Sequence, residues 1–117
     1  MPETSATMTV RPVNPTTCVI DIQGDISAFA ESALMAAYDE AYTPALRVVI
    51  LNFTNMEYMN SRGIGLLVTL LSRINRQKQR LFAYGLSEHY QRIFQLTRLD
   101  EVIALFDSES AALAAVG

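Results

Sequence analysis

The run Asn60-Ser61-Arg62-Gly63-Ile64-Gly65 sets an amide and a hydroxyl where a polar stretch gives way to a helical apolar pattern. A helix start carries four backbone N–H groups without intrahelical partners, and the helix dipole adds partial positive charge. Two chemistries suit these residue types. Asn60 or Ser61 can act as the N-cap, the ordinary use of such side chains. Alternatively, Ser61 can accept a phosphate, since a helix start favours an anion by about 0.3–1 kcal/mol, rising to ~2 in good geometry. A phosphate of about −2 charge there leaves the domain folded and changes what can dock on it. Gly63 and Gly65 let another backbone approach closely.

The helix that presents Ser61 is expected from Ser61 to about Gln77. As a wheel, Ile64, Leu67, Val68, Leu71 and Ile74 recur at i, i+3, i+4, i+7 and i+10, which makes them the core stripe. The opposite face carries Arg62, Leu66, Thr69, Arg73 and Arg76. Leu66 among arginines has the make-up of a contact surface, an apolar anchor inside a polar rim.

The elements that must position this helix follow from the rest of the chain. Met8 to Val13 and Thr17 to Ile22 form two strands around the Asn14-Pro15 turn, and Gly24 to Ser27 breaks the second. Ala28 to Tyr42 suits a helix stopped by Pro44. Arg47 to Phe53 is nearly continuous and β-branched, as in a central strand covered on both faces. A polar loop, Thr54 to Asn60, leads to Ser61. Leu81 to Gly85 and Val102 to Phe106 complete the strands; Ser87 caps a helix over Glu88 to Leu96, and Ser108 caps a last one. Strands alternating with helices after a hairpin give an α/β domain with a mixed, mostly parallel sheet of four to five strands and about four helices. Residues 1–7 read as a flexible tail and 8–117 as the domain.

Composition narrows the chemistry. The 117 residues, 50% apolar and 18% charged, suit one domain with its own core. A single cysteine, Cys18, excludes a disulfide framework and any cysteine-only metal cluster. One histidine, His89, excludes a His-rich metal site. Cys18 lies within a strand pattern and suits a buried apolar position; His89, in the first turn of a helix, suits solvent. Asp21 and Asp25 have no evident acid–base partner, and neither a Walker sequence nor a dinucleotide fingerprint is present. No catalytic residue, cofactor or metal ligand is therefore assigned.

The net charge of −3 argues against general nucleic-acid binding. The acid-free stretch from 58 to 87, with Arg62, Arg73, Arg76, Lys78 and Arg80, suits a solvated helix end better than a phosphate track. The longest nearly apolar run, Gly63 to Leu71, is far short of the ~20 residues that span a bilayer. A cytoplasmic setting, without nucleic acid or membrane as partner, is the expectation.

The run Val48-Val49-Ile50-Leu51-Asn52-Phe53, followed by Met56-Glu57-Tyr58-Met59-Asn60-Ser61-Arg62-Gly63-Ile64-Gly65-Leu66-Leu67, resembles the signature of STAS domains, and more specifically of bacterial anti-sigma factor antagonists. Ile22-Gln23-Gly24-Asp25-Ile26 is similar to that family's strand-ending glycine with its polar/apolar pair. Tyr84-Gly85-Leu86 and Ile93 to Asp100 resemble its closing elements, so the likeness covers about residues 8–115.

The resemblance implies a non-enzymatic switch. The unphosphorylated domain binds an anti-sigma factor, often also a serine kinase; phosphorylation of the serine matched by Ser61 breaks the complex, and a serine phosphatase restores it. It implies a partner face of Asp25, Arg62, Leu66, Thr69 and Arg73, with Asn60, Arg62 and Gly63 beside the acceptor. Asn60 stands in place of the family's aspartate and Arg62 in place of a small hydroxyl residue. Those departures leave an alternative, a scaffold or anionic-ligand module that is not phosphorylated.

Overall fold

β-Branched and aromatic residues concentrate in five runs, and each becomes a strand of one sheet. The computed structural model describes residues 6–116. β1 (Thr7–Asn14) and β2 (Thr17–Ile26) pair as an antiparallel hairpin. Its turn is held by Asn14 Oδ1, which accepts from the Thr16 N–H at 2.9 Å and the Thr16 hydroxyl at 3.0 Å. β3 (Val48–Met59), β4 (Arg80–Tyr84) and β5 (Ala104–Phe106) then add in parallel, in the order β1-β2-β3-β4-β5. Each parallel step needs a crossover, and α1 (Glu31–Ala41), α2 (Ser61–Arg76) and α3 (Glu88–Leu96) supply them. Right-handed crossovers that step the same way along the sheet place all three helices on one face. α4 (Glu109–Val116) covers the other. The mixed, mostly parallel α/β domain expected from the alternation is the one observed.

The larger core layer lies under α1 to α3 and includes Ile20, Leu51, Phe53, Leu67 and Phe94. The smaller layer, Val19, Val48, Ile50, Phe82 and Tyr84, lies under α4, whose Ala112 is fully buried. Val48 to Leu51 are at most 1% exposed, as a strand covered on both faces requires.

Two expectations fail together. Gly24 to Ser27 does not break β2, and Thr54 to Asn60 is not a loop: β2 runs to Ile26 and β3 to Met59, in register through Asp25↔Tyr58 and Ile26↔Met59. Among the described residues β1 pairs no further than Thr7↔Gln23, and β4 no further than Asn52↔Tyr84, so the paired ends of β2 and β3 form a two-stranded arm. No third strand flanks the arm among the described residues, and although Ile26 and Met59 reach the core, Gln23, Asp25, Asn55 and Glu57 are polar, which hid its strand character. Register shifts after Asp21 and Gly24 bend it, Gly24 taking φ 96°.

Smaller differences have local causes. The first helix opens as a 3₁₀ turn, Ala28–Ala30, because Ser27 Oγ accepts from the Phe29 N–H at 3.4 Å. Of the tail expected over residues 1–7, 1–5 lie outside the described residues, whereas Ala6 is buried and Thr7 pairs with Gln23. The last strand loses Val102 and Ile103 to the turn that follows a second 3₁₀ segment, Leu99–Glu101.

Asp21 does have partners. It accepts from Arg11 Nε at 2.5 Å, Arg11 NH2 at 2.9 Å and Asn52 Nδ2 at 2.8 Å. Arg11 also donates to Glu109 Oε1 at 2.7 Å, and the Tyr84 hydroxyl donates to the same oxygen at 2.7 Å. Four strands thus grip the first turn of α4. The Arg11 guanidinium holds both carboxyls below their ordinary range, while burial, then the bond to Glu109, pushes the Tyr84 phenol up to about 12.

Candidate functional site at the start of α2

Asn60 is extended, at φ −98° and ψ −176°, and its Oδ1 accepts from the Gly63 N–H at 2.9 Å. Its carbonyl accepts from the Ile64 N–H at 3.1 Å. Asn60 is therefore the N-cap. Of the two chemistries open in the sequence, capping falls to Asn60, and Ser61 is left as the exposed first helical residue with its hydroxyl uncommitted to the cap.

The sheet holds this point firmly. The Asn60 N–H donates to Ile26 O at 3.3 Å, joining the end of β2 to the start of α2. The Met59 N–H donates to the Tyr90 hydroxyl at 2.9 Å, which brings in α3. Gly63 packs so closely that a Cβ would lie 2.4 Å from Ile26 O and 2.8 Å from Met59 Cγ. Gly65 faces open space, with nothing within 4 Å of its Cβ direction.

The seating of Gly63 also sets the rotation of the helix, and here the wheel reading is corrected. Leu66 is 8% exposed and Leu70 fully buried, whereas Val68 is 48% exposed. Leu66 therefore belongs to the core and is not available as a partner anchor. Apolar residues at 64, 66, 67, 68, 70, 71 and 74 offer two overlapping stripes. The close contact of Gly63 with Ile26 and Met59 selects the one running through Gly63, Leu66, Leu67, Leu70, Leu71 and Ile74. The outward stripe is Ser61, Gly65, Val68, Thr69 and Ser72, all exposed.

The remaining residues divide. Arg62 is exposed beside Ser61, and Thr69 Oγ1 donates to Gly65 O at 3.1 Å on the same outer face. Asp25 lies half-buried on the arm, in register with Tyr58. Arg73 is drawn away: NH2 pairs with Asp39 of α1 at 2.9 Å, and its guanidinium lies 5.1 Å over the Tyr38 ring. Arg73 also sits ~18 Å along the axis from Ser61 at 1.5 Å per residue. Its first role is to clamp α1 to α2.

Two exposed aromatics went unread in the sequence. Phe29, 70% exposed, sits in the 3₁₀ turn after β2, and Tyr58, 53% exposed, sits near the end of β3. One lay inside an expected helix and the other inside an expected loop, so neither stood out by pattern. Both lie at the carboxyl end of the sheet, as Ser61 does.

Other candidates behave as their surroundings dictate. Cys18 is buried, and desolvation pushes its thiol up to about 11. His89 is exposed, with its ring edge-on to Tyr90. Among the described residues no group of three or more His, Cys, Asp or Glu side chains could hold a metal, and no helix is long and apolar enough to cross a membrane.

The family model of the STAS domain matches residues 8–112. Over 84 residues the chain is 25% identical to the anti-sigma-B factor antagonist of Staphylococcus aureus, covering 72% of this chain and 78% of that protein. An anti-sigma factor antagonist from Mycobacterium paratuberculosis superposes with a TM-score of 0.80 at 20% identity, over 95% of this chain and 93% of that one. The Bacillus cell fate determinant SpoIIAA in its phosphorylated form gives 0.73 at 22% identity, over 95% and 100%. At such identities the solved structures establish the fold, and the family match spans nearly every element described above. The chain belongs to the STAS domain family.

Proposed function

We propose that this protein is an anti-sigma factor antagonist that acts in the cytoplasm without catalysis, binding an anti-sigma factor of the serine-kinase kind and released by phosphorylation of Ser61. A serine phosphatase would reset it. The observation that carries the reading is the division of labour at the helix start: Asn60 supplies the cap, so the Ser61 hydroxyl is exposed and free to react. The printed names of the relatives support the partner class.

The contact face, on this reading, is the outward stripe of α2 with the arm beside it: Ser61, Arg62, Val68 and Thr69 on the helix, and Asp25 and Tyr58 on the arm. Val68 takes the anchoring part that the sequence offered to Leu66, and Arg73 contributes by fixing α2 against α1. A phosphate on Ser61 meets free N–H groups and the Arg62 guanidinium, a charge-assisted pair that holds it in place. It adds about −2 charge and a hydration shell where the partner must pack, so binding falls while the fold persists.

Incubation with a candidate kinase-type anti-sigma factor and ATP, followed by mass spectrometry, tests the reading. Phosphate is expected on Ser61 and lost in Ser61→Ala, and Ser61→Asp is expected to weaken partner binding at least about tenfold, or about 1.4 kcal/mol. Phosphate on another residue, or equal affinity of Ser61→Ala and Ser61→Asp, would favour the scaffold or anionic-ligand module instead.

A further inference from the structure

β4 stops at Tyr84, opposite Asn52, so among the described residues no strand flanks β3 on that side from Phe53 to Met59. A buried N–H on such an edge has to find its acceptor elsewhere. For Met59, 4% exposed, the acceptor is the Tyr90 hydroxyl of α3, at 2.9 Å. A side chain thus stands where a neighbouring strand would offer a carbonyl.

The rest of α3 sets the position of that hydroxyl. Ser87 Oγ accepts from the Tyr90 N–H at 3.4 Å, and Gln91 Nε2 donates to Leu86 O at 2.9 Å. One turn on, the fully buried Phe94 lies edge-on to Phe53 of β3, with ring centroids 6.5 Å apart. The Tyr90 ring is 8% exposed, a place where phenylalanine would pack as well, so the hydroxyl is the part with a separate task.

That task concerns the peptide leading into Ser61. Met59 is held by α3, and Asn60 by Ile26 O on the β2 side at 3.3 Å. Gly63 then packs on both Met59 and Ile26. Ser61 lies between these anchored residues while the cap bond belongs to Asn60, so its place is set by its neighbours.

We propose that Tyr90 is a positioning residue for Ser61: its hydroxyl holds the end of β3 so that the Ser61 hydroxyl is presented in one place for phosphoryl transfer. The inference rests on the reading of Ser61 as the acceptor. Without the bond the Met59 N–H is buried and unpaired, and the junction shifts or admits water to satisfy it. An acceptor without fixed geometry reacts more slowly once bound, because orientation is part of the rate. Docking through Val68 and Thr69 on the outer stripe of α2 is untouched, so the loss falls on kcat and not on KM.

Tyr90→Phe keeps the ring and removes the bond. Tyr38→Phe is its control, since it removes another buried hydroxyl bond, 2.6 Å to Gln79, beyond the opposite end of β4. With a kinase-type anti-sigma factor and ATP, Tyr90→Phe is expected to lower kcat for Ser61 phosphorylation about tenfold with KM little changed. Tyr38→Phe should change neither. Amide hydrogen exchange, which needs no kinase, should quicken from Met59 to Gly63 in Tyr90→Phe alone and stay unchanged from Val49 to Leu51 in both variants. Equal kcat in Tyr90→Phe and wild type, a loss carried by KM, or the same loss in Tyr38→Phe would overturn the role of Tyr90 and leave Ser61 as the acceptor. A wild-type chain that takes no phosphate on Ser61 would remove the acceptor reading, and the positioning role with it.

Discussion

A single methyl group at Gly63 would collide with Ile26 O at 2.4 Å, and that contact explains much of the candidate site. Neither the backbone oxygen nor the strand behind it can move cheaply, because Ile26 O also accepts from the Asn60 N–H. Gly63→Ala is therefore expected to lose about 2 kcal/mol, as overpacking does in a well-fitted site. Gly65→Ala meets nothing and removes a flexible residue from a helix, so it should be neutral or gain up to about 1 kcal/mol. Urea unfolding of the two variants checks the pair; equal effects would show that α2 does not pack as closely as its position demands. The same scale separates Asn60 from Ser61. Both residue types cap helices well, and only the geometry shows that Asn60 takes the Gly63 N–H.

On α2, what decides function is which stripe faces outward. Leu66→Asp puts a carboxylate at a position 8% exposed and should cost about 3 kcal/mol or more, enough to threaten the fold of a small domain. Val68→Asp changes a side chain that is 48% exposed and should leave the melting transition within a few degrees while weakening partner binding. Circular dichroism melts and a partner pull-down on both variants check this; a folded Leu66→Asp that fails to bind would restore the rotation read from the sequence.

The attachment of α4 supplies a test in pH. Asp21 and Glu109 ionise more readily in the folded protein, held chiefly by Arg11, so the unfolded chain takes up protons first as pH falls. Their contribution to stability is complete above the ordinary carboxylate pKa of about 4 and is lost as pH drops through and below it. Urea midpoints should therefore be level near neutrality and fall in acid, and Glu109→Gln should fall less steeply. The groups are partly solvated, at 30% and 34% side-chain exposure, so the change is modest.

Across the whole molecule, stability should follow the sheet. β2 and β3 pair over the longest span and bury Val19, Ile20, Ile50 and Leu51 completely, whereas β5 has three residues and lies at an edge. Native-state hydrogen exchange should be slowest over Val19 to Ile22 and Val49 to Leu51 and fastest in β5 and α4. Uniform protection would show that the domain opens only as one unit.

Local chemistry by itself determined a good deal here. The β-branched run from Val48 marks the central strand, Ser87 and Ser108 mark helix starts, and the motif from Asn60 to Gly65 marks the site. Those features depend on nearest neighbours, through capping oxygens, stiff side chains and φ/ψ preference, so they are legible one residue at a time. What the tertiary structure decided was orientation and reach. Overlapping apolar stripes on α2 could be ranked only by the close seat of Gly63 on the end of β2. The arm shows no clean alternation because only Ile26, Met56 and Met59 of it meet the core, and the partners of Asp21 and Arg73 lie across the fold. Such contacts join residues far apart in the chain, and their energies exist only once the chain has folded.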